Sequence, residues 1–393
     1  MNQSEDNSQK KIYLDTNLQI LFGVTLIAVM GVTSIAPAFP KIAQELKISS
    51  HGIGMLITVF TFPGVLLTPI LGLLADRFGR KKILVPSLML FGVAGGACMV
   101  TRDFHSLLIW RFFQGTGAAS LGSLNVTIIG DLYSGKGRTA AMGYNASVLS
   151  IGTATYPAIG GALATLGWYY PFVLALLAIP LGFIVMFSLK SPEPKSGQHF
   201  KAQFINAINS MKKRQVIGLF IASIITFLIL YGSCLTYLPL LMGHSLGASP
   251  LIIGLIFSSM SLVTAVTASQ LATMTKTYPE RVLLRASFLL YGVAMFLIPF
   301  IPKLWLFLFP AMIFGFAHGM NLPCIQSLLA GMAPMESRAT FMSINGMVMR
   351  LGQTFGPLIM GAVFSLWGME GTFYAGAGLA VLMSLLSAIM ITR

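Results

Sequence analysis

Long apolar runs alternate with short polar connections along nearly the whole chain. Each run holds roughly 20 residues or more, the length at which an α-helix crosses a bilayer core of about 30 Å. The pattern therefore predicts twelve membrane-spanning helices in two sets of six. The predicted spans are residues 18–38, 52–75, 83–101, 106–130, 139–166, 169–189, 216–241, 250–274, 282–301, 304–332, 340–366 and 371–391.

A polar interval separates the two sets of spans. Residues 190–214 contain Pro192, Pro194 and six cations, and their FKAQFINAINSMKK segment has the pattern of an amphipathic surface helix. The pattern thus divides the chain into four regions. They are a cytoplasmic tail at 1–17, a six-helix bundle at 18–189, a cytoplasmic linker at 190–214 and a second six-helix bundle at 215–393.

Composition and charge agree with a polytopic membrane protein. Hydrophobic residues make up 55% of the chain and charged residues 9%, against about 25% charged in a soluble domain. The net charge of +14 does not indicate nucleic acid, because most cations fall in the loops of one side. The positive-inside rule makes that side, with both termini, cytoplasmic. We expect a bacterial-type inner-membrane protein.

The two sets of spans repeat one another at an offset of 200 residues. This repeat predicts two homologous bundles. The matching residues include Arg138, Asn145, Gly152, Pro157 and Gly161 in the first set and Arg338, Asn345, Gly352, Pro357 and Gly361 in the second, and Gly115 meets Gly315.

The connection GLLADRFGRKK, residues 72–82, carries one acid among several cations. This spacing resembles the cytoplasmic loop motif of the major facilitator superfamily of secondary transporters. The resemblance implies an all-α fold of twelve helices in two bundles, with the substrate between them near the midplane. The motif residues are Gly72, Asp76, Arg77, Gly79, Arg80 and Lys81.

The same resemblance implies a conformational latch. In the superfamily, this loop, an acid after the fourth span and the start of the eleventh helix hold the halves together when the transporter faces outward. Asp131 is the acid in this position. The alternative is a static surface salt bridge worth well under about 1 kcal/mol.

Arg111 and Gln114 share one face of the fourth span, in the run RFFQGTGAA. A cation inside a span marks a functional site by default. The pattern resembles the superfamily's second motif, which is linked to proton transfer in its exporters. A snorkelling arginine is the alternative.

The fifth span holds GTATYPAIGG, which is similar to the glycine-proline motif of the superfamily's exporters. It favours export over import, although Tyr156 replaces the glycine expected before the proline. The motif residues are Gly152, Pro157, Gly160 and Gly161, with Gly356 and Pro357 at the equivalent place in the eleventh span.

All acids of the chain fall in tails, loops or span ends, so no mid-membrane carboxylate is available for proton coupling. Asp15, Asp131 and His318 are the remaining titratable candidates. His318 is equally well explained as a packing residue.

Arg350 lies about 15 Å into the eleventh span, near the midplane. A central arginine costs about 2.5 to 3.5 kcal/mol on insertion, so it should have a partner. One hypothesis is that its charge selects substrates. The alternative is an arginine bonded to helix carbonyls or to neighbours such as Gln353.

Polar and aromatic side chains within the spans are candidates for a substrate cavity. Together with 23 Met and 28 Phe, they favour an amphipathic organic molecule over a sugar. The candidates are Thr33, Ser34, Asn125, Asn145, Tyr231, Tyr237, Asn321, Asn345 and Gln353.

The sequence therefore predicts a secondary transporter that exports small, drug-like organic compounds, with proton coupling. An organic-anion carrier without proton antiport is the alternative, and a membrane sensor or embedded enzyme is a more distant one. We expect no cofactor, no metal and no catalytic residue. The expected partners are a small-molecule substrate, a proton and membrane lipid but no nucleic acid, and we expect a monomer.

Overall fold

The computed structural model describes residues 12–191, 213–333 and 338–391, and these residues are folded into helices nearly throughout. The rest of the predicted tail and linker, including the predicted amphipathic helix, lies outside the described residues. The helices are α1 Thr16–Thr33, α2 Phe39–Glu45, α3 Ser50–Phe78, α4 Arg80–Val100, α5 Phe104–Leu132, α6 Gly135–Leu166, α7 Ala178–Ser188, α8 Arg214–Leu228, α9 Leu238–Leu246, α10 Pro250–Thr277, α11 Glu280–Leu297, α12 Leu308–Met332 and α13 Arg338–Met390.

Several membrane crossings are built from more than one helical element. The first continues from α1 through a 3-10 turn at Ala36–Ala38 into α2, so it extends beyond the predicted end at residue 38. Pro37 and Pro40 each lie in the first turn of a new helical segment, where the missing N–H loses no hydrogen bond. The π-helix Ile229–Tyr237 joins α8 to α9.

Gly368 divides α13 into two helices, because its φ of 71° is left-handed and suits a residue without Cβ. In the described ranges, nine segments are long and apolar enough to cross a membrane. Helices α5 and α6, of 29 and 32 residues, are long enough to cross but are not among these nine. With these two, and with α13 divided, the helices fit the twelve predicted crossings.

The connections lie alternately at two ends of the molecule. At one end Lys81 Nζ donates to Leu189 O at 3.1 Å, and Lys190 N donates to Asn17 Oδ1 at 2.9 Å. We call it the linker end, because residues 191 and 213 flank the linker there. The opposite end holds residues 46–49, 101–103, 167–169 and 247–249.

The two halves, α1–α7 and α8–α13, repeat the same helix packing. A Cβ on Gly115 of α5 would lie 1.9 Å from Phe60 O of α3. A Cβ on Gly315 of α12 would lie 2.3 Å from Met260 O of α10. Both pairs are related by 200 residues. Glycine at these points lets the backbones approach closely, so the predicted Gly115–Gly315 match corresponds to one helix crossing built twice.

Candidate functional site: the cleft between the halves

The halves meet along two helix pairs. In the first crossing, α3 packs against α13. A Cβ on Gly54 would lie 3.3 Å from Pro357 Cβ. Thr58 Oγ1 donates to Thr354 O at 3.0 Å, and Thr354 Oγ1 donates to Thr61 Oγ1 at 2.9 Å. The first crossing therefore combines close backbone approach with a short polar ladder.

In the second crossing, α6 packs against α10. A Cβ on Gly254 would lie 2.2 Å from Pro157 O. Ala158 N donates to Ser258 Oγ at 3.1 Å. The second crossing is therefore tighter than the first at its glycine and has fewer side-chain hydrogen bonds.

The two crossings are reciprocal at the 200-residue offset. Gly54 of the first half faces Pro357 of the second, while Gly254 of the second half faces Pro157 of the first. Such an exchange is the contact pattern of a pseudo-two-fold axis between the halves. Glycine opposite each proline admits the backbone of the proline-containing helix at short range.

The contacts are concentrated toward the opposite end. Along α3 they run from His51, which faces Gly361, to Gly64, a length of about 20 Å. Gly72, Gly143 and Gly346 continue the same helix faces toward the linker end. Apart from the backbone of the glycine's own helix and its chain neighbours, no described atom lies within 4 Å of a Cβ built on any of these three glycines. Among the described residues, the halves thus diverge into a cleft that opens at the linker end.

Arg350 lies at the margin of this cleft, where the first crossing ends. Its Nη2 donates across the interface to Ala119 O of α5 at 3.3 Å. Its Nη1 would lie 2.2 Å from a Cβ on Gly64. Thr68 Oγ1 donates to the same Ala119 carbonyl at 2.8 Å. The arginine thus occupies a notch that only glycine leaves open, and its partner is a helix carbonyl.

Two other predicted residues lie near Arg350 and keep unused hydrogen-bonding groups. Tyr231 is close enough for its phenol to interact with the guanidinium charge, and Gln353 lies one turn along α13. Both side chains are partly exposed. Within the described ranges, neither the Tyr231 hydroxyl nor the Gln353 amide has a hydrogen-bond partner.

Arg111 lies inside the first half and away from the cleft. Its guanidinium donates to Gly31 O at 3.0 Å, Leu56 O at 3.3 Å and Gln114 Oε1 at 2.7 Å, and it lies 4.1 Å from the Phe60 ring centroid. Arg111 and Gln114 are each 1% exposed. The predicted pair thus ties α1 and α3 to α5.

The predicted loop cluster assembles at the linker end. Arg80 lies 3.2 Å from Asp76 and 2.6 Å from Asp131, and the latter contact is an ion pair in which Nε–H is not aligned for a hydrogen bond. Gly79 has a φ of 105° at the turn between α3 and α4, a conformation that favours glycine. Arg77 lies 5.3 Å from the Phe78 ring centroid. All these contacts lie within the first half.

The predicted asparagines form buried networks inside each half. In the first half, Asn125 Nδ2 donates to Thr25 Oγ1 at 2.6 Å, and Thr25 donates to Asn145 Oδ1 at 2.5 Å. In the second half, Ser223 donates to Asn345 at 3.0 Å, and Asn321 bonds Thr226 and Ser287. These asparagines join helices of one bundle.

Three further cavity candidates also have local roles in this conformation. Thr33 and Ser34 donate to carbonyls of α1, Val29 O and Met30 O. Tyr237 is fully buried and stacks on Phe364 at 5.5 Å.

His318 lies in the second half among aromatic rings. Its Nδ1 is 2.5 Å from Tyr291 Oη, and the rings of Phe314 and Phe227 lie 6.3 and 6.4 Å away. The imidazole is partly buried. This is a hydrogen-bonded pair of titratable side chains in an apolar setting.

The remaining motif glycines mark close helix approaches. A Cβ on Gly160 would lie 1.8 Å from Ser34 O, and one on Gly161 would lie 2.4 Å from Pro250 O in the other half. Gly152 packs on side chains of α1. Gly356 packs on the backbone at Leu228 and thus lies within the second half.

The sequence analysis did not identify Gly64, Thr58, Thr61, Thr354 or the Gly54–Gly254 pair. The 200-residue alignment contains a signal for part of this set, because position 54 matches position 254 and Thr58 matches Ser258. Extending the repeat into the second and eighth spans finds them. No group of three or more metal-ligating side chains occurs in the described part of the chain.

Two pseudo-symmetric helical bundles around a cleft that opens at one end define a multi-pass membrane protein that moves its cargo between bundles. The chain belongs to the Major Facilitator Superfamily, whose profile matches residues 21–244 and 235–393. It is therefore a transporter and not an enzyme, and the predicted family and fold are confirmed.

Two relatives of similar length agree with this assignment. The chain is 27% identical over 369 residues to multidrug resistance protein 1 of Bacillus subtilis (strain 168), covering 93% of this chain and 94% of the relative. It is 26% identical over 365 residues to the bacillibactin exporter of the same organism, covering 89% and 90%.

A solved structure has the same fold. It is a bacterial homologue of the human lysosomal transporter Spinster in an inward-facing and occupied conformation, with a TM-score of 0.83, 16% identity, and coverage of 96% of this chain and 97% of that one.

Proposed function

We propose that the protein exports small amphipathic organic molecules from the cytoplasm by alternating access, driven by protons. The observation that carries this proposal is the pair of reciprocal proline–glycine crossings, which close the cleft at one end and leave it open at the other. Two full-length relatives are named as an exporter and a multidrug resistance protein, which supports export of organic compounds.

We place the linker end in the cytoplasm. Arg77, Arg80, Lys81 and Lys82 lie there, and cytoplasmic loops are enriched in such cations. The conformation described is then inward-facing. In this proposal residues 18–189 and 215–393 move as two bundles in the lipid of the inner membrane. The termini and residues 190–214 are cytoplasmic, and the protein acts as a monomer.

The loop cluster is the proposed latch of the other state. In the inward-facing state Arg80 forms ion pairs with both Asp76 and Asp131. When the cytoplasmic ends close, the start of α13 approaches this cluster, and the cluster binds the positive end of the helix dipole. A cluster that gains a partner in one state shifts the equilibrium between the two.

His318 is the proposed proton site. The carboxylates of the described residues lie at helix ends and loops, whereas His318 lies within α12 and is bonded to Tyr291 at 2.5 Å. Protonation changes the imidazole from one donor to two, so this pair responds to proton binding with a change in its hydrogen bonds.

Purified protein in liposomes tests both parts of the proposal. We expect uptake of rhodamine 123, an amphipathic cation, to rise several-fold when a proton gradient is imposed and to fall when it is collapsed. His318→Gln keeps a hydrogen-bonding side chain but takes up no proton, so its flux should lose the gradient dependence. His105→Gln, at an exposed position of α5, is the matched control.

Flux of the parent protein that ignores the gradient contradicts proton coupling while leaving export in place. A folded protein that moves no organic substrate contradicts the proposed function itself.

A further inference from the structure

Arg350 is a cation near the midplane with a weak partner. Its one hydrogen bond is to the neutral Ala119 carbonyl at 3.3 Å. Within the described ranges, no carboxylate pairs with it, and its other N–H groups have no hydrogen-bond acceptor. A guanidinium has five donors, so most of its binding capacity is unused at the edge of the open cleft.

The place of Arg350 is built into the first crossing and absent from the second. The residue 200 positions earlier is Ser150, which donates to Ala146 O of its own helix at 3.0 Å. The residue 200 positions after Gly64 is Thr264, which donates to Gly315 O at 3.1 Å. The repeat therefore has a long cation opposite a glycine notch on one side and two short hydroxyl residues on the other.

Carboxylates and other oxyanions compete well for such a group. A charge-assisted hydrogen bond is roughly twice as strong as a neutral one, and the planar guanidinium binds a carboxylate through two parallel bonds. An anion that enters from the linker end meets these donors where the halves diverge. Tyr231 lies beside the site, with its ring 6.0 Å from the Phe227 ring, so an apolar body has aromatic neighbours.

We infer that Arg350 binds an anionic group of the transported molecule, and that this group replaces the Ala119 carbonyl. The inference rests on the proposed export function and adds an anion site to it, which makes amphipathic organic anions one class of its substrates. Ala119 belongs to the first half and Arg350 to the second. When the guanidinium binds the substrate in place of the Ala119 carbonyl, a hydrogen bond between the halves is lost. This loss favours opening of the closed end.

Binding to the purified full-length protein tests the first part. The probes are fluorescein, an anion, and rhodamine 123, a cation with the same xanthene ring system, followed by fluorescence polarisation. Arg350→Gln should raise the Kd for fluorescein about tenfold or more, and Arg350→Lys should raise it several-fold because lysine lacks the planar fork. The Kd for rhodamine 123 should stay within about twofold, and Ser150→Gln is the matched control.

A cross-link at the opposite end tests the second part. A Cβ on Gly243 would lie 2.4 Å from Pro40 Cβ, away from both crossings. In a background without Cys98, Cys234 and Cys324, cysteines at positions 40 and 243 should form a disulfide when this end is closed and an oxidant such as copper phenanthroline is added. Fluorescein should lower the disulfide yield in the parent protein. In Arg350→Gln, the yields with and without fluorescein should be equal.

Gly64→Ala fills the notch and displaces the guanidinium without removing its charge. It should lower the disulfide yield in the absence of any ligand. Gly122→Ala, at a site where a Cβ meets nothing within 4 Å, is its control and should leave the yield unchanged.

The outcomes separate this inference from the export proposal. If fluorescein does not bind, or binds the parent and Arg350→Gln equally, the anion site is wrong, and export of rhodamine 123 still supports the proposed function. If fluorescein binding depends on Arg350 but the disulfide yield does not respond, the release step is wrong. A parent protein that forms the disulfide yet moves neither dye contradicts the proposed function.

Discussion

The two crossings between the halves share one backbone plan and differ in their chemistry. In the second crossing, Gly254 meets a backbone carbonyl, at 2.2 Å from its Cβ position, and one hydrogen bond leads to Ser258. In the first crossing, Gly54 meets Pro357 at 3.3 Å, and hydroxyls and a guanidinium cross the interface.

Because of this difference, the two crossings are suited to different roles. Close packing of backbone against backbone tolerates little change, because neither partner has a side chain that can move aside. Hydrogen bonds between side chains exchange partners at a small net free energy. The second crossing is thus suited to act as a rigid pivot, and the first crossing is suited to respond to a ligand.

The largest effect on the stability of the closed end should come from adding a methyl group to Gly254, compared with the same change at Gly54. Gly254→Ala places a Cβ against Pro157 O and should destabilise the closed end by about 1–3 kcal/mol, the usual range for overpacking. Gly54→Ala places a Cβ 3.3 Å from Pro357 Cβ, so the neighbour must move by only a few tenths of an ångström, and the effect should be smaller than that of Gly254→Ala. The yield of the 40–243 disulfide measures both, and equal effects would remove the distinction between the crossings.

A smaller effect should follow from the polar ladder. Thr61→Val and Thr354→Val each remove one partner of the 2.9 Å hydrogen bond, and each should lower the disulfide yield in proportion to about 0.5–1.5 kcal/mol. The double variant should cost less than the sum, because both single changes break the same bond. Thr116→Val, whose hydroxyl bonds only its own helix, is the control, and strict additivity would argue against the ladder.

The smallest effect should come from the loop cluster, because exposed ion pairs are worth about 0–1 kcal/mol. Asp76→Asn weakens the proposed latch of the outward-facing state, so the 40–243 disulfide yield should rise by less than about fivefold. Asp103→Asn is the control: this acid caps α5 at the opposite end, where the Ser106 amide lowers the pKa of the carboxyl. A yield that stays at the parental value would contradict the latch, and the cations of the cluster would then serve only to orient the loop toward the cytoplasm.

The features predictable from the sequence are those fixed by spacing along one element. The motif spacing and helix lengths place Asp76, Arg80 and Asp131 at one end, and the structure brings them together. For Arg350 the sequence offered helix carbonyls only as one alternative. The identity of the Ala119 carbonyl depends on how one half sits against the other, and no spacing within a helix contains that information.

The partners of the buried asparagines likewise could not be predicted from spacing within one helix. A polar residue in a span indicates a need for partners, but the sequence does not show which helix supplies them. Asn125 and Asn145 are both hydrogen-bonded to Thr25 of α1. They therefore lie inside the bundle in this conformation. Their proposed exposure to substrate remains a prediction for other states of the cycle.

The reciprocal proline–glycine contacts also bear on why both halves belong to one polypeptide. If two identical six-helix chains met through these contacts, their interface would be isologous, and every side chain would appear twice about the axis. A guanidinium at the position of Arg350 would then be accompanied by a second one, each requiring its own glycine notch. Covalent fusion lifts that constraint, so a single positive charge can stand off the axis and give the cleft a polarity that a homodimer is unable to possess.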